Sequence, residues 1–156
     1  MAAHTDNSVL IDAPIDLVWD MTNDIPSWPR LFSEYAEATV LEESSGTILF
    51  RLAMHPDENG KVWSWVSART PDPGSRTVRA HRVEPGPFKY MWIYWEYTKT
   101  EDGVLMRWVQ DFEMKPAAPV TDTQMRDRMN TNTAGQMRLI KEKVEAAARA
   151  SLGTNH

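Results

Sequence analysis

From Arg107 to Lys115 the chain alternates with period two. Arg107, Val109, Asp111, Glu113 and Lys115 fall on a face assigned to solvent. Trp108, Gln110, Phe112 and Met114 fall on a buried one, where Gln110 is the polar exception. The same alternation predicts strands at 4–11, 36–43, 47–54, 60–71, 75–83, 89–99 and 103–114. Turn signals separate them: Ser44-Ser45-Gly46, Asn59-Gly60, Pro73-Gly74, Pro85-Gly86-Pro87 and Asp102-Gly103. Turns this short imply antiparallel pairing. After the first strand, Asp12 as N-cap and Pro14 in the first turn predict a short helix. A second short helix is expected through Phe32, after the prolines that bracket Trp28. Near the end, Thr121 and Gln124 form a capping-box pattern. Met125, Met129, Thr133, Met137, Ile140 and Val144 then mark one face of a helix running to about residue 150.

One long amphipathic helix can cover the buried face of a curved antiparallel sheet. The predicted class is therefore α+β: a seven-stranded sheet around a long C-terminal helix, with two short helices and an interior cavity. Neither repeat nor interdomain linker is visible, so residues 1–156 are expected to form one domain.

The predicted buried faces carry residues that a simple core would not hold. Along the fourth strand, Trp63, Trp65, Ser67 and Arg69 share a face. Arg82 follows Val78 and Ala80 on the next strand. Met91, Ile93, Trp95 and Tyr97 point inward on the sixth, leaving Trp92 and Tyr94 outside. In the long helix, Asn130 and Thr133 interrupt the apolar stripe. Ser67, Arg69, Arg82, Gln110, Asn130 and Thr133 are thus expected to converge on one space, lined by Met54, Trp63, Trp65, Met91, Trp95, Trp108 and Met129. A buried polar group without a partner costs roughly 1–3 kcal/mol, and an unpaired charge far more. Such a set fits a pocket with apolar walls and a few convergent polar groups.

Composition narrows the chemistry. Seven tryptophans and nine methionines suit an apolar site for a planar ligand. A net charge of -5 argues against nucleic-acid binding. No apolar run is long enough to span a membrane, and the N-terminus has no signal-peptide pattern, so a cytoplasmic protein is expected. Without cysteine there is no thiolate ligand or nucleophile, and the four histidines show no metal-site spacing. No metal or cofactor is implied.

Five segments carry a family resemblance: Asn23–Glu37 (NDIPSWPRLFSEYAE), Val62–Arg69 (VWSWVSAR), Ser75–Phe88 (SRTVRAHRVEPGPF), Met106–Pro116 (MRWVQDFEMKP) and the NTNT from Asn130. Together they resemble the single-domain aromatase/cyclases of bacterial aromatic polyketide pathways, the tetracenomycin type above all. The resemblance implies the helix-grip fold shared with START and birch-pollen-allergen-like proteins. It implies a substrate, a poly-β-ketone tethered by phosphopantetheine to an acyl carrier protein of a type II polyketide synthase. It also implies a reaction: regiospecific aldol closure of the first ring, between carbons 9 and 14, then loss of water. The family's pocket arginine and tyrosine map onto Arg69 and Tyr35, with Ser67 beside them. Its pocket wall maps onto Trp28, Phe32, Trp65, Arg82, Met91, Trp95, Trp108 and Gln110, and Met54 replaces a smaller polar residue of the tetracenomycin type.

Arg69 stays protonated and so serves as a donor to a carbonyl that gains charge, not as a base. Tyr35 can deliver a proton. Two alternatives remain open: a non-catalytic polyketide or lipid carrier, which needs the walls but not the donors, and a synthase subunit acting through its surface. For the latter, Trp92 and Tyr94 form a contact patch, and Arg79, Lys89, Arg126 and Arg128 could receive an acidic carrier protein.

Overall fold

The computed structural model describes residues 2–153. Seven strands form one sheet: β1 (Ala3–Ile11), β2 (Tyr35–Ser44), β3 (Thr47–Met54), β4 (Ser64–Asp72), β5 (Thr77–Arg82), β6 (Phe88–Thr100) and β7 (Gly103–Met114). Their spatial order is β1-β7-β6-β5-β4-β3-β2, every pair antiparallel. Strands β2 to β7 are a meander, and β1 returns to pair with β7. The chain crosses from the β1 edge to the β2 edge through α1 (Ile15–Asn23), a 3-10 turn (Ile25–Ser27) and α2 (Trp28–Leu31). This crossing closes one end of the groove that α3 (Asp122–Gly153) fills. The fold class, its antiparallel sheet, long helix and two short helices are those read from the sequence. No helix among the described residues is long and apolar enough to cross a membrane.

The core lies between sheet and helices. Met137, Ile140 and Val144 of α3 and Val18 and Trp19 of α1 pack with Ile11, Trp95, Val104 and Met106 of the sheet. A second apolar group of Phe88, Met91, Phe112 and Met114 lies against Met125 and Met129, at the start of α3. The capping box forms as expected: the Thr121 amide donates to Gln124 Oε1 at 2.8 Å, and the Gln124 amide to Thr121 Oγ1 at 3.1 Å.

Four local expectations are corrected. Asp12 does not cap α1. Pro14 occupies the cap, its carbonyl accepting from the Leu17 and Val18 amides, while the Asp12 amide donates to Glu145 Oε2 at 2.8 Å. The short second helix stops at Leu31, with Phe32 already extended. Strand β4 begins at Ser64 rather than 60, because the Asp57 carboxylate ties residues 57–63 into a loop (below). Val109 is buried on the outer face, shielded by its cross-strand neighbours Asp6 and Tyr94.

At the far hairpin, Gly103 has φ +138°, and a Cβ there would meet the Ile11 carbonyl oxygen at 2.2 Å, so only glycine fits. The free edge of β2 has register shifts between Tyr35 and Glu37 and between Val40 and Glu42, and it exposes Glu37, Glu42 and Glu43.

Candidate functional site

Strand β4 sets the site. Its inward positions are Trp65, Ser67 and Arg69, paired in register with Leu52, Phe50 and Ile48 of β3 and, for the last two, with Arg82 and Ala80 of β5. The Arg69 side chain is 1% exposed. Its Nε and one terminal nitrogen donate to Asn23 Oδ1 at 3.2 and 2.9 Å, and the same terminal nitrogen reaches the Thr22 carbonyl at 3.4 Å. Its charge also lies over the faces of Trp28 and Trp95, 5.1 and 5.5 Å from the ring centres. All these partners are neutral, and among the described residues Arg69 has no ion-pair partner. Burial therefore pulls its pKa down, opposed by the Tyr97 and Tyr35 phenols.

Tyr97 is buried close by and shares a hydrogen bond of 2.6 Å with Thr22 Oγ1. Burial raises the Tyr97 pKa, partly offset by Arg69. Tyr35, at the start of β2, stacks on Trp28 at 6.0 Å and meets Phe32 at 5.1 Å and Trp65 at 6.3 Å. Burial, with Glu34 adding to it, pushes its phenol well above the usual tyrosine value, so it remains a proton donor through neutral pH.

Arg82 lies between two rings, 4.0 Å from the centre of Trp65 and 4.7 Å from that of Phe88. Burial lowers its pKa to about 10, which leaves it charged at neutral pH. It too lacks an ion-pair partner among the described residues. The interior thus holds two guanidinium charges without a bonded carboxylate. That arrangement attracts an electron-rich ligand oxygen.

On the opposite wall, Gln110 Oε1 accepts from Thr5 Oγ1 at 3.0 Å and from Thr133 Oγ1 at 3.3 Å. Asn130 Oδ1 accepts from Asn7 Nδ2 at 3.1 Å, so this part of the set pairs with the edge strand β1. Trp95 stacks on Trp108 with centres 4.4 Å apart. Trp28, Phe32 and Phe50 join the same group of rings, with Phe32 edge-on to Trp108 at 6.1 Å. The rings expected to wall a hollow are here in mutual contact. Two surface hollows of about 490 Å³ each lie elsewhere, one around Asp12–Ile15 and the Lys99–Val104 hairpin, the other around Ala2–His4 and Thr121–Thr123.

The structure brings together Trp28, Phe32, Tyr35, Trp65, Ser67, Arg69, Arg82, Trp95, Trp108, Gln110 and Thr133, with Met54 packed against this core. Met91 and Met129 belong to the second apolar group. Trp63 is a correction. It is 40% exposed, its Nε1 donates to Asp57 Oδ2 at 3.0 Å, and Lys61 Nζ covers its ring at 3.8 Å. The Asn59 and Lys61 amides also donate to Asp57, so the carboxylate organises the whole loop and holds Trp63 outside the interior. On the outer face of the sheet, Trp92 is exposed beside His81, Arg79 covers the Tyr94 ring and Lys89 pairs with Glu113, while on α3 Arg126 pairs with Asp127.

Four polar interior residues were not anticipated: Thr5, Thr22, Asn23 and Gln136. Gln136 accepts from the Ser33 amide and donates to Ser33 Oγ at 2.8 Å. Thr5 carries a readable signal, since it sits on the face of β1 that ends in buried Ile11.

A family model described as polyketide cyclase/dehydrase and lipid transport matches residues 11–141. A Streptomyces cyaneus protein assigned as a polyketide cyclase is 60% identical over 145 residues, covering 93% of this chain and 95% of that one. The actinorhodin polyketide synthase bifunctional cyclase/dehydratase of Streptomyces coelicolor is 27% identical over 127 residues, 80% of this chain and 39% of that protein. The crystal structure of the Zhui aromatase/cyclase from Streptomyces sp. R1128 matches with a TM-score of 0.78 at 21% identity, covering 97% of this chain and 96% of that one.

Proposed function

This chain belongs to the polyketide cyclase/dehydrase and lipid transport family, and on that premise we propose that it is an aromatase/cyclase. Its substrate is a poly-β-ketone held on the phosphopantetheine arm of an acyl carrier protein, within a cytoplasmic type II polyketide synthase. Its reaction is closure and aromatisation of the first ring. The observation that carries this reading is Arg69: a buried guanidinium bonded only to neutral acceptors, beside a phenol that stays protonated.

The chemistry follows from those residues. The methylene between two ketones loses a proton readily, and bound water suffices as base. The resulting enol carbon at position 14 bonds to the carbonyl carbon at position 9, and the electron pair moves onto the carbonyl oxygen. Arg69 donates to that oxygen as charge builds on it; in a water-poor site such a donor is worth about 10²–10³ in rate. Tyr35 protonates the alkoxide, and Ser67 orients it. The hydroxyl then leaves as water, an adjacent C–H gives up its proton, and enolisation completes the aromatic ring without an oxidant. The rings of Trp28, Trp65, Trp95 and Trp108 part to admit the chain and fold it, and proximity of that kind supplies up to roughly 7–11 kcal/mol.

The test is a product profile by liquid chromatography and mass spectrometry. A minimal polyketide synthase is supplied with no addition, with this protein, or with its R69A variant. A single first-ring pattern with wild type and the spontaneous mixture with R69A supports the reading. Equal redirection by both leaves a mould without chemistry. An unchanged profile with wild type overturns the cyclase and favours the carrier.

A further inference from the structure

The Arg69 side of the interior accounts for one pole of a ketone-binding site. The wall facing it holds a donor that has no use in the folded protein. Trp108 is 6% exposed, and its Nε1 is buried with no hydrogen-bond partner among the described residues. A buried donor left unmade is destabilising, so native chains rarely keep one. Nor can the indole turn to find a partner. Its ring is stacked on Trp95 at 4.4 Å and meets the edge of Phe32 at 6.1 Å.

Among the described residues no acceptor lies within hydrogen-bond reach of this N–H. Two residues along the same face of β7, the Gln110 carbonyl oxygen is already claimed by the hydroxyls of Thr5 and Thr133. Two hydrogen bonds to one oxygen fix the amide with its NH₂ turned away from both threonines. On the neighbouring strand, Asn7, paired in register with Trp108, donates its NH₂ to Asn130 Oδ1. The two other tryptophans whose indole bonds are resolved are satisfied: Trp28 Nε1 donates to the Thr22 carbonyl at 3.2 Å and Trp63 Nε1 to Asp57 at 3.0 Å.

We infer that the Trp108 indole N–H is a ligand hydrogen-bond donor, reserved for a carbonyl or enol oxygen of the bound ketone. The inference deepens the cyclase reading and rests on it for the natural ligand. A chain with a carbonyl on every second carbon can then be held at two poles. Arg69 takes the oxygen of the reacting carbonyl. Trp108, backed by Gln110, takes a second oxygen farther along and fixes which carbons come together. Trp108 thereby acts on specificity, not on the barrier itself.

The test uses the full chain with ¹⁵N-labelled indoles and follows the tryptophan side-chain N–H resonances. The probe is 1-tetralone, a bicyclic aryl ketone with one acceptor and no donor. Tetralin, the same hydrocarbon without the carbonyl, is the control. In the free protein the Trp108 N–H resonates upfield of those of Trp28 and Trp63, as an unbonded donor should. On adding 1-tetralone it moves downfield; on adding tetralin it does not. W108F weakens 1-tetralone binding about two- to tenfold more than it changes tetralin binding, the range for one neutral hydrogen bond. If W108F does not fold, the resonance is assigned through bonds and the wild-type arms decide. A Trp108 signal that stays in place with 1-tetralone overturns the inference, whether or not the others move, as does an equal downfield shift with tetralin. The two readings fail separately. Wild type that redirects products with a silent Trp108 sinks only this inference. A responsive Trp108 in a protein that leaves the products unchanged sinks only the cyclase and passes the donor to a carrier.

Discussion

Replacing Asn23 by Asp is the most informative single change. It is nearly isosteric, and it puts a negative charge 2.9 and 3.2 Å from two nitrogens of Arg69. At about 4 Å between charge centres and an effective dielectric of about 20, the attraction is roughly 4 kcal/mol. Three terms oppose it. Asn23 is half-buried, so desolvating a carboxylate there takes back about 2–3 kcal/mol, part of the several kcal/mol of full burial. The bond from Asn23 Nδ2 to the Trp19 carbonyl is lost, about 1 kcal/mol. A negative charge at the last residue of α1 is disfavoured by about 0.5 kcal/mol. The sum lies within about 2 kcal/mol of zero, so N23D folds. Asn23→Ala instead removes the main acceptor of a buried cation. At about 1.5–3 kcal/mol for each of the two charged bonds, it loses roughly 3–6 kcal/mol. Activity separates the pair in the other direction. In N23D the guanidinium is already neutralised and has little left for a developing oxyanion, so turnover falls about 100-fold. Thermal melts and the product profile read both quantities. Arg69 holds the new carboxyl's pKa down, so its share of stability is present above about pH 4 and fades on acidification. N23D with wild-type product yield would falsify the assignment of an uncompensated charge to catalysis. N23A as stable as wild type would show that Asn23 does not hold Arg69.

Tyr35→Phe lowers the yield of aromatised product. The Tyr35 phenol titrates higher folded than unfolded, so the folded state keeps a proton that the unfolded chain releases, and stability falls as pH rises above about 10. Denaturant titrations should show a decline shallower by about 1.4 kcal/mol per pH unit in Y35F, and identical slopes count against the burial of this phenol. Gly135→Ala adds a methyl that meets nothing within 4 Å in the middle of α3. It should stabilise by about 0.5–1 kcal/mol and raise Tm by about 1–4 °C, and an unchanged melt refutes the open space described there. Trp63→Ala should leave the product profile as in wild type, because the ring lies on Asp57 and Lys61 outside the interior; a changed profile would return Trp63 to the binding wall.

Period-two alternation was enough to turn Trp65, Ser67, Arg69, Arg82, Trp95, Trp108 and Gln110 inward, because in a half-buried sheet side-chain direction is fixed by parity. It failed at Trp63, where parity was right but the strand had not begun. An aspartate six residues earlier captured the ring, and a turn closed by one carboxylate leaves only a weak trace in hydrophobic pattern. Asn23 and Thr22 were invisible for a different reason. They end a short helix and meet β4 across 46 and 47 residues of sequence, and no local period encodes that meeting. Gln136 was missed likewise, because its partner Ser33 lies 103 residues away. The contacts among the interior rings were also illegible: pattern says which rings face one another, not how near they come.

The irregular margin of β2 has a consequence for the protein at high concentration. An uncovered strand presents free amide and carbonyl groups on which another chain could build. Here two bulges break the flat hydrogen-bonding rim, and Glu37, Glu42 and Glu43 repel a second copy laid beside it. The opposite margin, β1, lies along α3. A sheet with seven strands and two ends therefore offers no regular template for filament growth.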